Sequence, residues 1–511
     1  MCSISGIVST KLNLNKISEM VKCQRHRAPD SEGVFMDNLV SIGMGRLMII
    51  DLITKNLSPI ETTRYVLAYN GEIYNYKELK SELISLGYKF FSTSDTEVLI
   101  KSWEQWGLKI FNKLNGMYAF SIYDKLQKKI YLARDIAGEK PLYYFYNGKD
   151  FIFSSEAKAI AKVVNLQLNL NNEFYDSFQY CFDKTLWKNV NQLKPAHYLV
   201  YDIKKNSINT IEYWKFNKRK IYKKEISEEL DFLIRDSIKL RLRSDVKIGL
   251  YYSGGIDSSL LSAYHKFNYK FHFDDQLNYR NQFYSKLKKI VYHLDFPVGS
   301  LSSYPLYCLA SKACKKVKVV ISGEGADEIF GGYIRYLPIA NNYYQFLKYP
   351  SYKLMFQKVY GDYKKDYLKI VLKNNNYKLG LKYLDSIFEM FDDPINAIGF
   401  FDFKYVMPSL LQMGDRMSSA FGIENRCPYL DKRIIEFGFS LPPEYKINNL
   451  LLKIPLRDLL YKKGITKPLN MEKKGLIFNF KSWYNKKDLF RERYFKIIYN
   501  TWKNEYSNFN L

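Results

Sequence analysis

Position 2 is a cysteine, and removal of the initiator Met1 would leave its thiol beside a free α-amino group. The reference pKa values of thiol and amine lie at about 8.5 and 8, so one residue can supply both nucleophile and base. Taken alone, Cys2 reads as an ordinary choice of residue. Four polar motifs follow it in order: RHRAPDSEG (Arg25–Gly33), GRLMIID (Gly45–Asp51), NGEIYN (Asn70–Asn75) and TSDTEV (Thr93–Val98). Acyl transfer from a glutamine side chain needs a cation for the α-carboxylate, an anion for the α-amine and donors for a tetrahedral oxyanion. Arg46 suits the first role and Asp95 the second. The Asn70 side chain with the Gly71 backbone N–H suits the third, glycine allowing the backbone a close approach.

Two further loops can hold phosphate. SGGIDSS (Ser253–Ser259) places a Gly pair between an apolar run and a helix start, where backbone N–H groups and the helix dipole attract an anion. It is no Walker A loop, since no Lys follows the glycines. SGEGADEIFGGY (Ser322–Tyr333) carries three acidic residues among glycines, oxygen donors of the kind that hard cations prefer. Asp327 is the candidate metal ligand there and Glu324 the candidate acid/base group.

The elements that must position these residues divide the chain near residue 205. Val34–Met36, Tyr65–Tyr69, Met117–Tyr123, Lys129–Arg134 and Leu142–Tyr146 read as strands, aromatic or β-branched and bounded by turn residues. Tyr76–Leu86 and Thr96–Trp106 have the spacing of surface helices. Antiparallel sheets flanked by helices are expected over 1–205, and the polar, Lys-rich 206–225 is the expected junction. Over 206–511, Ile226–Leu242 reads as a helix, and Lys247–Tyr252 and Lys318–Ile321 as buried strands leading into the two loops.

Composition narrows the class. The chain has 511 residues with 47% hydrophobic and 25% charged, ordinary for a globular protein of several domains. No apolar run reaches the ~18 residues of a membrane helix, and the N-terminus lacks a secretory pattern, so a cytoplasmic protein is expected. Scattered cysteines without a CxxC pair, and histidines without metal spacing, argue against disulfide, zinc and histidine-ligated metal sites. The net charge of +26 raises nucleic acid as a partner. Basic residues are spread without an arginine patch, and abundant Lys, Asn, Ile, Tyr and Phe fit an AT-rich coding sequence, so no specific nucleic acid and no membrane are expected.

The motifs of 1–160 together resemble the N-terminal-nucleophile type of glutamine amidotransferase domain. The resemblance implies an αββα sandwich of antiparallel sheets in which Arg46, Leu47, Ile49, Ile50, Asn70, Gly71, Glu72 and Asp95 bind glutamine. ARDIAGEKPLYY (Ala133–Tyr144) is similar to a family segment near the domain interface, although Ala137–Glu139 alters its usual L-G-I, and Ala28 replaces a usual Gly. SGGIDSS resembles the pyrophosphate loop of enzymes that split ATP into AMP and pyrophosphate. That implies a doubly wound parallel α/β domain with many helices, in which Tyr251, Ser253, Gly254, Gly255, Asp257, Ser258, Ser322 and Gly323 bind ATP. Asp257 and Asp327 would hold Mg²⁺.

The pair of domains resembles the glutamine-hydrolysing asparagine synthetase family, which also shares DRMSSAFGIENRCPYLD (Asp415–Asp431) and KIPLR (Lys453–Arg457). The implied activity joins glutamine hydrolysis at Cys2 to attack of the released ammonia on a β-aspartyl adenylate. Lys453 and Glu324 would assist at the second centre. Glutamine, ATP and aspartate, or another carboxylate such as a sugar acid of a surface polysaccharide, are the implied substrates; a homodimer is left open. One departure stands out: after the helix following SGGIDSS, the chain lacks one βα unit of about 30 residues that a doubly wound domain should contain. Either Tyr269–Phe273 supplies a compensating strand, or ATP binding is impaired and only glutaminase activity is left.

Overall fold

The computed structural model describes residues 1–9, 13–54, 57–167, 185–273, 279–298, 300–340, a few positions within 364–371, 377–448, 450–471 and 490–507. Twelve strands build the N-terminal half: β1 (Ser3–Val8), β2 (Ser31–Met36), β3 (Val40–Arg46), β4 (Ile60–Glu61), β5 (Tyr65–Ile73), β6 (Gly116–Asp124), β7 (Lys129–Arg134), β8 (Tyr143–Tyr146), β9 (Phe151–Ser154), β10 (Val190–Gln192), β11 (His197–Asp202) and β12 (Ser207–Glu212). They form two six-stranded sheets, ordered β10-β8-β9-β1-β3-β2 and β12-β11-β7-β6-β5-β4, with every pair antiparallel.

The sheets face each other across a core of Ile4, Val8, Ile42, Met44, Val66, Ala68, Leu132 and Phe153, and Cys2 lies at its edge. The helix Leu14–Cys23 covers the first sheet, while Tyr76–Ser85 and Asp95–Trp106 cover the second, completing the αββα layering. The strands and helices expected from alternation and spacing are all present. β1 and β3 were not expected. Their sequences SISGIV and VSIGMGR are buried at every position, so they show no alternation, and their glycines look like turn signals. Those glycines serve packing: a Cβ on Gly6 would lie 2.1 Å from the Phe153 ring.

β12 pairs with β11 through Ile208↔Tyr201, so the boundary expected at 205/206 falls inside a hairpin. The start of the polar stretch 206–225 forms a solvent-facing edge strand, and the N-terminal sheet runs on to Glu212.

The C-terminal half is built on β13 (Ile248–Tyr251), β14 (Lys270–Phe271), β15 (Val319–Ile321) and β16 (Glu424–Arg426), a parallel sheet ordered β14-β13-β15-β16 and surrounded by helices. β14 is the compensating strand. It pairs through Leu250↔Lys270 and Tyr251↔Phe271, so the edge of β13 is covered despite the shortened chain. Among the described residues, no helix is long and apolar enough to cross a membrane.

Candidate active site

Cys2 immediately precedes β1 and is buried among the residues packed between the two sheets. The Cys2 backbone N–H donates to Asn70 Oδ1 at 2.9 Å. Asn70 is fully buried and its Nδ2 has no hydrogen-bond partner, an uncommon and costly state for a buried amide. Such a donor beside a nucleophile is positioned to accept a developing oxyanion. Gly71 follows on β5, where any Cβ would lie 2.1 Å from the Met117 carbonyl oxygen. Burial pushes the Cys2 thiol up, against the Leu47 backbone N–H and Arg46, which favour the thiolate. A thiol kept neutral in this way needs a base to react, and the α-amine of Cys2 would serve once Met1 is removed. With Met1 in place its amine is itself buried, 3.4 Å from Glu424 Oε2.

Arg46, at the end of β3, is aimed by the turn that follows it: Nη2 donates to the carbonyls of Ile50 at 2.9 Å and Asp51 at 2.8 Å. Leu47, Ile49 and Ile50 bury their side chains beneath that turn. Asp95 opens a helix capped by the Ser94 hydroxyl, and its Oδ2 accepts from Tyr69 Oη at 2.8 Å and from the Ile73 N–H at 3.1 Å. Burial raises its pKa, while Arg46 opposes the rise. Glu72 is buried deeper, with Oε2 held at 2.9 Å by Arg426 from the other half of the chain.

The second centre forms where β13 and β15 end side by side. Gly254 adopts φ +77°, and a Cβ there would meet nothing within 4 Å, leaving open space at the N-terminus of the helix Ile256–Tyr264. Ser253 and Ser258 join hydroxyls at 3.2 Å across this loop. Gly323 brings the acidic loop so close that its Cβ would stand 2.9 Å from Asp257 Cβ. Lys453, in a left-handed conformation at the start of the helix Ile454–Lys462, binds both loops: Nζ lies 2.6 Å from Asp257 Oδ2 and 2.7 Å from Asp327 Oδ1. Burial opposes the lysine charge, but the two carboxylates raise its pKa on balance. Glu324 accepts from the Ser322 hydroxyl, from Asn425 Nδ2 at 3.0 Å and from the Cys427 thiol at 3.3 Å.

Of the nucleotide residues expected from sequence, Tyr251 is not brought to the loop. It turns into the core with its hydroxyl 3.5 Å from Ser418 Oγ, and the partly buried Tyr252 contacts Ser259 instead. The side chains that sequence reasoning missed lie mostly on β16, a three-residue strand whose alternation serves both centres. Glu424 and Arg426 reach Met1 and Glu72, while Asn425 between them reaches Glu324. The motif around β16 was visible in the sequence; which way each residue points was not.

Both halves of the chain match known protein families. Residues 1–214 match the glutamine amidotransferase domain model, and residues 229–272 and 269–501 match the asparagine synthase model. A putative asparagine synthetase [glutamine-hydrolyzing] 2 of Methanocaldococcus jannaschii is 34% identical over 66% of this chain and 76% of its own length. Asparagine synthetase [glutamine-hydrolyzing] 1 of Bacillus subtilis is 31% identical over 91% of this chain and 84% of its own. A third relative, asparagine synthetase [glutamine-hydrolyzing] 3 of the same bacterium, is 27% identical over 91% and 86%. An N-terminal-nucleophile amidotransferase fold joined to a parallel α/β domain defines an ATP-dependent ligase that takes nitrogen from glutamine. The chain belongs to the asparagine synthase family.

Proposed function

We propose that this enzyme amidates aspartate, forming asparagine, glutamate, AMP and pyrophosphate from aspartate, glutamine and ATP. The observation that carries the reading is β16, whose residues touch both centres, so that one short strand couples nitrogen release to nitrogen use. On this reading the glutaminase half ends after β12 and the synthetase half follows.

Cys2 Sγ attacks the glutamine amide while Arg46 and Asp95 hold the α-carboxylate and α-amine. Asn70 Nδ2 and the Gly71 N–H take the oxyanion, ammonia leaves, and water clears the thioester. At the second centre Ser253, Gly254, Gly255 and Ser258 cradle the ATP phosphates, with Ser322 and Gly323 facing them. Lys453 offsets negative charge as the aspartate β-carboxylate displaces pyrophosphate. Glu324 accepts a proton when ammonia attacks the adenylate. A path through the protein interior keeps that ammonia from becoming ammonium, which has no lone pair to attack with.

Asp257 and Asp327 converge on one Lys453 ammonium, and their hard oxygens fit Mg²⁺. Among the described residues no group of three or more acidic, histidine or cysteine ligands could hold a metal alone, so phosphate oxygens would complete the shell. When bound, Mg²⁺ would offset phosphate charge.

Product analysis with Mg-ATP and glutamine, with and without aspartate, tests the reading. Asparagine, AMP and pyrophosphate appearing together only with aspartate are expected. Glutamate and ammonia without AMP would refute it, leaving a glutaminase or an enzyme for a different carboxylate.

A further inference from the structure

The residues read as binding glutamine are not held by the N-terminal half alone. Arg46 is oriented by three carbonyls of the turn after β3, those of Ile50, Asp51 and, at 3.2 Å from Nη1, Thr54. Asp51 stands in that turn at φ +60°, a left-handed conformation that persists only where the surroundings fix it. Its carboxylate accepts the N–H groups of Thr54 and, beside the Asp95 helix, of Thr93, each at 2.8 Å. A further hold comes from the C-terminal half. Asp245 Oδ2 accepts the Asp51 N–H at 2.8 Å, and the Asp245 N–H donates to the Ile49 carbonyl at 2.9 Å.

Asp245 lies in the short connection between the helix Ile226–Arg241 and β13, the strand that runs into the SGGIDSS loop. That connection is itself fixed from two sides. Arg243 donates to the Tyr74 carbonyl at 2.6 Å and pairs with Glu78 at 2.5 Å, both just beyond β5. Arg426 Nη1 donates to the carbonyls of Arg241 at 2.8 Å and Arg243 at 2.7 Å. Its Nη2 holds Glu72 Oε2 at 2.9 Å, and Glu72 Oε1 is buried without a hydrogen-bond partner. A carboxylate oxygen in that state has lost its water and gained no donor in exchange. Asp95 accepts the N–H of Ile73, the residue after Glu72, so both acids lie at one end of the site. A substrate ammonium is a donor of the right charge for that end.

We propose that Asp245 and Arg426 are positioning residues through which the C-terminal half sets the grip on glutamine. Asp245 fixes the turn that aims Arg46 at the α-carboxylate, and Arg426 holds Glu72 for the α-amine. The inference rests on the reading of Arg46 and Glu72 as glutamine-binding groups. Neither positioning residue touches substrate, so losing either loosens binding and leaves the chemistry at Cys2 intact.

Glutamate formation by the full-length enzyme and its Asp245→Ala, Asp245→Asn and Arg426→Lys variants tests this, beside asparagine formation with added ammonia. Asp245 is exposed, so its truncation opens no cavity. Asp245→Ala is expected to raise the glutamine KM about tenfold with kcat nearly unchanged, the low end for one hydrogen bond to a charged group. Its ammonia-dependent rate is expected to match the wild type, which a general loss of structure would not allow. Asp245→Asn keeps an acceptor oxygen and is expected to recover most of the affinity. Arg426→Lys keeps the cation but loses the planar fork that spans Glu72 and two carbonyls, and is expected to raise KM at least as much.

A wild-type KM in Asp245→Ala or in Arg426→Lys would overturn the inference. So would a fall in kcat with KM unchanged, equal losses with glutamine and ammonia, or a loss that Asp245→Asn shares in full. Hydrolysis of glutamine by the wild type without any asparagine would refute the proposed acceptor alone, and the KM comparison would still decide the inference. An enzyme that hydrolyses no glutamine would refute the glutaminase reading and the inference with it.

Discussion

On the proposed reading Cys2 and Asn70 divide the chemistry of the first centre, and each has its own signature. Cys2→Ala is expected to abolish turnover with glutamine and to retain turnover with added ammonia, compared directly by asparagine formation. Equal loss with both nitrogen sources would remove the nucleophile role from Cys2. Asn70 Nδ2 is buried without a partner, so in the proposed role its stabilisation would be realised only when an oxyanion forms. Asn70→Ala is therefore expected to lower the glutaminase kcat by about 10²–10³-fold, as removal of one such donor does elsewhere. A change confined to KM would instead place the side chain in substrate binding. The sequence proposes these residues by their chemical types and order. It could not give the direction of the Tyr251 side chain, since which face of a strand a residue occupies depends on neighbours far along the chain.

The elements matter most where two loops must almost touch. A Cβ on Gly332 would lie 2.0 Å from both Asp327 Oδ1 and Lys453 Cε, so that glycine lets the ammonium reach both carboxylates. Gly332→Ala is expected to abolish pyrophosphate exchange into ATP while glutamine hydrolysis, run by the other sheet pair, persists. Normal exchange in that variant would mean the Lys453 bridge is dispensable. The alternating strands and surface helices could be read from sequence because one face of each meets solvent. β1, β3 and the two-residue β14 could not be read so directly. The first two are buried on both faces, and the third is too short to show a period.

At the scale of the whole molecule the two halves are joined by buried ions rather than by an apolar seam alone. Arg27 from the N-terminal half lies 3.1 Å from Glu156 and 2.8 Å from Asp415. Arg416 reaches Glu156 and Asp295. Arg27→Ala would leave these acids short of a cation and is expected to cost about 3–5 kcal/mol in denaturant unfolding. A loss within that of an exposed arginine would show that the network compensates.

Glu139 also ties stability to pH. Its carboxyl is raised from 4.5 to about 8 in the fold, so between those values the folded protein binds more protons than the unfolded chain. Its contribution to stability is present below 4.5 and lost as pH rises through 8. Glu139→Gln is expected to flatten that decline, read from melting temperatures across the range.

The sequence by itself determined the chemical inventory and the class of fold. The candidate nucleophile, the glycine-rich and acidic loops and most amphipathic elements are local patterns, each written within a few residues. Tertiary structure decided the pairing of β12 with β11, the covering of the sheet edge by β14, and the contacts of β16 with residues of both halves. Those outcomes depend on which strand pairs with which and on the face each side chain takes. Both are settled by contacts between residues hundreds of positions apart, such as Glu72 with Arg426, that no local pattern encodes.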